Sequence, residues 1–415
     1  MAKKTKSSTF AILDIGSTKI ICFIAKIDPM GRINIIGIGH NLAQGIKAGR
    51  ITDIRAAEIS IAQAVETAET MAAESIKSIY INISSNNLIS QCISSELLIT
   101  GHEISDKDMN RLMFQVLNKF NEQELDVIHS FPYDYILDGN RGIDNPLGMY
   151  GNSLAADFHV LSSPTNYLLN INNCIAKCQL EVESFISSSY ATAIACLTAD
   201  EMNLGVTMIE FGGGCTSISV FNKGNILYSD ALPIGGMHVS NDIARGFGTD
   251  YVNAERIKNL YGTVIMTSAD LNDNIEIPIS SNKHDVEMNV VKRAELVEII
   301  RARIEEILDI TLKKLEAIGM SRYGGNKIVI TGGGSQLSGL KEMVGHTFSK
   351  TVRIGYPPEL AGLPENVGGI GFATSIGMLM HLANNESKGR VVKQQNNNNL
   401  GFFSNTLQWI KEHFG

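Results

Sequence analysis

Three apolar stretches with strand character each run directly into a glycine turn, and this pattern limits the fold more than any other feature of the chain. Val206–Ile209 leads into Glu210-Phe211-Gly212-Gly213-Gly214, after which polar-apolar alternation resumes through Val220 (EFGGGCTSISV). Phe10–Ile21 (FAILDIGSTKII) repeats the order strand, acid, glycine, hydroxyls, strand, and Ile328–Ser335 (IVITGGGS) supplies a third glycine run. Glycine at such a turn leaves backbone N–H groups open to a phosphate, because no Cβ stands in the way. One such turn says little. Two at the heads of hairpins, with Ser17-Thr18 in one and Thr216-Ser217 in the other, can hold one phosphate chain from opposite sides. The repeat predicts two related halves around a shared ligand.

Asp14 and Glu210 close the strands before the two turns, so both carboxylates would face the same phosphates. Acids beside phosphates call for a cation, and Mg²⁺ keeping several waters is the economical choice. Lys19 is placed to neutralise a β- or γ-phosphate. Neither GxxxxGK[ST] nor a GxGxxG opening a long helix occurs, which excludes the commonest nucleotide loops.

At 415 residues with a formal net charge of -8, the chain predicts a multi-lobed protein with no basic face for nucleic acid. No leader-like apolar core follows the basic first residues, and no apolar run reaches membrane-spanning length. Cys22, Cys92, Cys174, Cys178, Cys196 and Cys215 read as free thiols of a reducing compartment, since Cys174 and Cys178 have no companions at metal spacing.

A strand meander and a helix from Asp53, its predicted cap, open a mixed α/β first lobe over 1–84. Residues 85–163 read as an inserted subdomain, and Ser163-Pro164 as the cap and first position of the next helix. Residues 164–203 return to the first lobe and carry a connecting helix. The second lobe covers 204–383, with an outer part at about 237–320. Within it Ser268–Asp285 reads as polar and peripheral, and 291–318 as a long amphipathic helix. Residues 384–399 (NNESKGRVVKQQNNNN) have the composition of a flexible linker. Residues 400–415 then place Phe402, Phe403, Leu407, Trp409, Ile410 and Phe414 on one helical face, as expected of a helix lying in a membrane interface. A tail docking on its own domain or in a partner's groove is the alternative.

With FAILDIGSTKI, SSSYATAIACL, EFGGGCT, VITGGGSQLSGL and the tethered terminal helix in place, the chain resembles the actin, Hsp70-type chaperone and sugar-kinase superfamily. Within it the chain is similar to the bacterial FtsA cell-division family, over essentially its whole length. The resemblance implies a two-lobed actin-like ATPase fold of duplicated ribonuclease H-like domains, with the FtsA-type inserted subdomain. It implies ATP or ADP with Mg²⁺ as cofactors. Gly16, Ser17, Thr18 and Lys19 become the first phosphate loop; Gly212, Gly213, Gly214, Cys215 and Thr216 become the second; Gly235 and Gly236 lie nearby. Glu255 and Lys258 flank adenosine, and Gly332, Gly333, Gly334 and Ser335 pack under it. Asp14 and Glu210 hold the metal through water and, with Glu183, are the catalytic candidates.

The same resemblance implies a peripheral protein at the division septum, on the cytoplasmic face of the inner membrane. Its partners would be the FtsZ C-terminal tail, with Arg301 and Arg303 as candidate contacts, other divisome proteins, further copies of the chain and the lipid surface. The chain departs from the family at two positions. Glu210 stands where Asp is usual and Cys215 where Thr is usual, and both changes disfavour fast hydrolysis. The alternatives are a phosphotransferase of the sugar or acetate kinase type and an actin-like assembly ATPase of a pilus or secretion system.

Overall fold

The computed structural model describes residues 7–121, 124–278, 288–364 and 368–387. Ser8–Ile15 (β1), Lys19–Ile27 (β2) and Ile33–Leu42 (β3) form an antiparallel meander. A ribbon of Ile46–Lys47 (β4) and Arg50–Ile51 (β5) leads into Ile54–Ala72 (α1), where the Asp53 side chain accepts from the N–H groups of Arg55 and Ala56. That is the cap expected from the sequence. Ser78–Ile83 (β6) then pairs parallel to β1.

The chain next builds a separate four-stranded sheet from Ile89–Leu98 (β7), Leu125–Leu137 (β8), Asn140–Ile143 (β9) and Ser153–Pro164 (β10), in the order β7-β10-β8-β9. Asp106–Asn121 (α2) covers one face, burying Met113, Val116 and Phe120 against Phe158 and Val160. Thr165–Lys177 (α3) follows, but Ser163 does not cap it. Ser163 is still inside β10, its hydroxyl donates to the Asn87 carbonyl at 3.0 Å, and Pro164 stands at the cap position instead. Glu181–Ser187 (β11) returns to the first sheet beside β6, completing the order β11-β6-β1-β2-β3.

Ser188–Cys196 (α4) is separated from Ala199–Leu204 (α5) at Thr198, which forms a reciprocal capping box with Glu201. A second sheet then repeats the first. Val206–Phe211 (β12), Thr216–Asn222 (β13) and Asn225–Leu232 (β14) form a meander. Gly236–Phe247 (α6) and Tyr251–Tyr261 (α7) precede a ribbon of Asn274–Pro278 (β15) and Met288–Lys292 (β16). This ribbon corrects the reading of 268–285 as merely peripheral: Ile275, Ile277 and Val291 are buried in the core of the second lobe.

Arg293–Ala317 (α8), Lys327–Thr331 (β17), Leu340–Phe348 (α9), Thr351–Ile354 (β18) and Ala373–Ser387 (α10) complete the chain. β17 lies parallel to β12 and β18 parallel to β17, giving β14-β13-β12-β17-β18. Strand for strand this is the first sheet again: a meander whose first strand is followed by two parallel neighbours. α10 continues through Ser387, so Asn384–Ser387, assigned to the linker by composition, are helical. The remainder of the predicted linker and the terminal helix lie outside the described residues.

Both main sheets are buried on both faces, which is why their strands read as apolar runs. Leu13, Ile15, Cys22 and Ile24 pack toward α1 and α3, while Ile12, Ile21, Phe23 and Ala25 pack toward α4 and α10. α4 and α10 cross so closely that a Cβ on Gly377 would sit 1.8 Å from the Ala191 carbonyl oxygen. That crossing stands at the junction of the lobes.

Glu201 ties α5 to the second sheet. Its carboxylate accepts from Arg353 Nε at 2.6 Å and pairs with Lys327 at 3.1 Å. Hydrogen bonding from Arg353 leads the effects that hold its pKa down to about 2. Because the folded value is depressed, the stabilisation is present above the unfolded value and is lost as pH falls through the folded one. Glu201→Gln is expected to cost about 2 kcal/mol at neutral pH, less than a fully buried pair because both cations are partly exposed. In urea denaturation the difference from the unsubstituted protein should shrink as pH drops from 4.5 toward about 2. A constant difference would show that charge is not its source.

Candidate functional site

The two hairpin turns are built alike. Gly16 N–H donates to the Lys19 carbonyl at 3.0 Å, and Gly212 N–H donates to the Cys215 carbonyl at 2.9 Å. A Cβ on either glycine would lie 2.8 Å from that same carbonyl oxygen. The turns face each other across the interlobe cleft. A Cβ on Gly213 would meet Thr18 Cγ2 at 2.3 Å, and one on Gly214 would meet Ser17 Oγ at 2.3 Å. The start of α6 seals the second turn from beneath, with Gly236 N–H donating to Gly212 O at 2.9 Å and Met237 N–H to Gly213 O at 2.8 Å. The cleft between the lobes has a volume of about 1160 Å³ and is lined by both turns, both predicted acids, Lys19, Glu255 and Lys258.

The carboxylates end on neutral donors. Asp14 Oδ1 accepts from Asn82 Nδ2 at 2.8 Å and Oδ2 from Ser375 Oγ at 2.7 Å. Glu210 Oε1 accepts from Thr374 Oγ1 at 3.1 Å and Oε2 from Thr192 Oγ1 at 3.3 Å. Burial pushes Asp14 above the ordinary carboxylate range. Burial, with the Asp14 charge added, pushes Glu210 up to about 7. Glu210 retains some access to the cleft, but its carboxyl group is enclosed by α4 and α10. Lys19 is also drawn from water, which lowers its pKa, and its ammonium sits 3.7 Å from the centre of the Phe372 ring.

Glu255 and Lys258 are more than a surface pair. Lys258 Nζ reaches Glu255 at 2.8 Å, Ser240 Oγ at 2.9 Å and the Gly236 carbonyl at 3.2 Å, binding α7 to the first turn of α6. Among the glycines of the third run the roles divide. Gly332 has φ +81°, and a Cβ there would meet the Phe211 carbonyl oxygen at 2.6 Å, whereas Gly333 has open space around its Cβ position. Gly332 is therefore required by the turn, and Gly333 presents its bare Cα to the cleft. The Cys215 thiol lies 3.5 Å from Ser84 Oγ, and burial raises its pKa, so it remains a neutral thiol.

Some expected residues are not brought to the site. Thr216 is buried with its hydroxyl on the Ile234 carbonyl at 2.8 Å; strand alternation turns Ser217 to the cleft instead. Ser335 is likewise buried on the Gly332 carbonyl. Glu183 lies at a register shift in the edge strand β11, roughly 13 Å along the strand from Ser187, and does not line the cleft. Arg301 pairs with Glu305 at 2.8 Å, and Arg303 with Asp242 at 2.6 Å and with Glu306. Both arginines lie on α8, apart from the cleft lining. Sequence reasoning missed Asn82, Thr192, Thr374 and Ser375. A signal existed for three of them: Asn82 interrupts an apolar strand, and Thr374-Ser375 follow a Gly-rich run.

The family model described as "Cell division protein FtsA" matches residues 207–377, and that described as "SHS2 domain inserted in FTSA" matches residues 86–162. A cell division protein FtsA from Agrobacterium fabrum is 36% identical, covering 99% of this chain and 96% of that protein. The namesake from Pseudomonas aeruginosa is 30% identical over 94% of this chain and 93% of its own length. Among solved structures, a PilM-PilN type IV pilus biogenesis complex aligns with a TM-score of 0.65 at 15% identity, covering 90% of this chain and 98% of that one. MreB5 of Spiroplasma citri bound to ADP aligns at 0.54 and 12% identity, covering 92% of this chain and 98% of that one. These structures share the actin-like fold, and the sequence similarity is to division proteins. This chain therefore belongs to the FtsA family of cell-division proteins.

Proposed function

We propose that the chain binds ATP or ADP with Mg²⁺ between its lobes and uses the nucleotide to control assembly at the division site. The observation that carries this reading is the pair of equivalent glycine turns facing each other across the cleft. The residues fit the ligand: two carboxylates raised by burial lack a cationic partner among their hydrogen bonds, and Lys19 is held nearby on an aromatic ring. Two carboxylates are too few to enclose Mg²⁺ by themselves, so the ion would keep several of its waters. When bound, Mg²⁺ would supply the positive charge that both phosphates and carboxylates need. Asp14 and Glu210 would orient it, and Lys258 with Glu255 would fix the α6 end of the cleft. The ADP bound to the MreB5 neighbour supports a nucleotide for this fold.

Turnover in this reading is slow. Glu210 is held at both oxygens by threonines, and Glu183 stands outside the cleft, so neither is placed to orient an attacking water. Nucleotide would act by closing the lobes, favouring one assembly state over another.

The same proposal places the chain on the cytoplasmic face of the inner membrane, with residues 400–415 as the anchor beyond a linker that starts after Ser387. Residues 85–163 form the inserted subdomain, which would contact other division proteins and neighbouring copies. The FtsZ tail would be taken by the outer part of the second lobe. Arg301 is the better candidate there, because Arg303 already links α8 to α6 through Asp242. Titration of the full chain with a fluorescent ATP analogue and Mg²⁺ tests the nucleotide: saturable micromolar binding is expected, and its absence overturns the reading. Sedimentation with anionic liposomes tests the anchor. Deleting 401–415 should abolish pelleting, and full lipid binding by the truncated chain would contradict the assignment.

A further inference from the structure

The turn that leads into α10 and the first residues of the helix touch Lys19, Glu210 and Asp14. Phe372 lies under the Lys19 ammonium at 3.7 Å, Thr374 Oγ1 donates to Glu210 at 3.1 Å, and Ser375 Oγ donates to Asp14 at 2.7 Å. Asp14 ends β1 of the first lobe and Glu210 lies in β12 of the second. Adjacent residues of one helix therefore grip carboxylates from both lobes. Consecutive helical side chains diverge by about 100°, which lets neighbours reach in two directions.

The other oxygens are held by Asn82 on Asp14 and by Thr192 on Glu210. Thr192 and Thr374 also lie 2.9 Å apart, joining α4 to α10 at the crossing where Gly377 meets Ala191. All four donors are neutral. They orient the two carboxyl groups and bring no positive charge of their own, which leaves that role to a cation.

We propose that Thr374 and Ser375 are positioning residues that set the separation and orientation of Glu210 and Asp14 for a divalent cation carried by a nucleotide phosphate. The proposal rests on the nucleotide reading and adds to it the parts that assemble the cation site. It implies that α10 acts on the cation-dependent portion of binding alone, since neither hydroxyl is needed to seat phosphate on the glycine turns.

Full-length protein is titrated with fluorescent ADP, once with Mg²⁺ and once with EDTA, for the unsubstituted chain, Thr374→Val, Thr374→Ser and Ser375→Ala. The readout is the factor by which Mg²⁺ tightens binding. Thr374→Val and Ser375→Ala should each reduce that factor about tenfold, the effect of roughly one charged hydrogen bond. Affinity in EDTA should stay within threefold of the unsubstituted chain, and Thr374→Ser should restore the Mg²⁺ factor. An unchanged Mg²⁺ factor in both deletions overturns the proposal, as does a Thr374→Ser variant as defective as Thr374→Val, which would assign the effect to packing. Ser375→Ala removes a single oxygen and decides the matter if Thr374→Val does not fold. Failure of the unsubstituted chain to bind ADP in either condition overturns the nucleotide reading, and this proposal with it.

Discussion

Gly235→Ala is expected to weaken nucleotide binding by about 100-fold or more, a loss of the size that follows from displacing binding groups by an ångström. The added Cβ would lie 2.5 Å from the Gly212 carbonyl oxygen, 2.8 Å from that of Gly213 and 2.9 Å from Cys215 N. All three are backbone atoms of the second turn, so no rotamer change can relieve the clash. Either the turn shifts or α6 withdraws, and the Gly236 and Met237 hydrogen bonds that fix the turn are strained in both cases. Overpacking of this kind costs roughly 1–3 kcal/mol of stability. A fluorescence titration at a temperature where circular dichroism shows the variant folded separates the two effects. Retention of affinity within threefold would mean that the second turn does not hold the ligand.

The second large effect concerns Glu210. Its folded pKa is raised to about 7 by burial and by the neighbouring Asp14 charge. A raised carboxyl value favours the protonated folded state, so stability falls as pH rises from the ordinary value of 4.5 through about 7. The ligand-free chain should lose on the order of 2–3 kcal/mol across that interval from this group. Asp14, also raised, adds a contribution of the same sign. The titratable groups acting with Glu210 are Asp14, Cys196 and Cys215, and both thiols are raised and neutral. Glu210→Gln should therefore flatten the pH profile of urea denaturation and be more stable than the unsubstituted chain at pH ~8, while losing most of the Mg²⁺-dependent part of nucleotide affinity. A variant whose profile still falls as steeply would show that another group carries the pH dependence.

Much of the architecture was legible because its signals are local. A strand, an acid and a glycine turn occupy a dozen residues, and their repetition announced the two equivalent sheets. The periodic apolar face of α8 is likewise contained in one segment, and Leu296, Ile300, Ile304, Ile307, Leu308, Thr311 and Leu315 are all buried. The ribbon of β15 and β16 was missed because its polar residues hide two inward-facing isoleucines, Ile275 and Ile277.

The site divides the same way. The turns themselves were readable, but the residues that orient their acids were not. Ser375 lies 361 positions from Asp14, and Thr374 164 positions from Glu210. A hydroxyl has no sequence signature for a partner chosen by the crossing of two helices. Thr216 shows the converse: motif matching gave it a ligand, whereas the period of the strand turns its hydroxyl inward. Glu183 stands outside the cleft lining for a geometric reason, since membership of β11 does not place a side chain at the end of the strand that faces the cleft.

The most direct measurement is the structure of the full chain with Mg²⁺ and a non-hydrolysable ATP analogue. The phosphates are expected between the turns at Gly16–Lys19 and Gly212–Cys215, with Lys19 moved from the Phe372 ring toward them and the cation facing Asp14 and Glu210 while Ser375 and Thr374 keep their hold. A nucleotide seated elsewhere, or one in this cleft with its cation remote from both carboxylates, would contradict this arrangement.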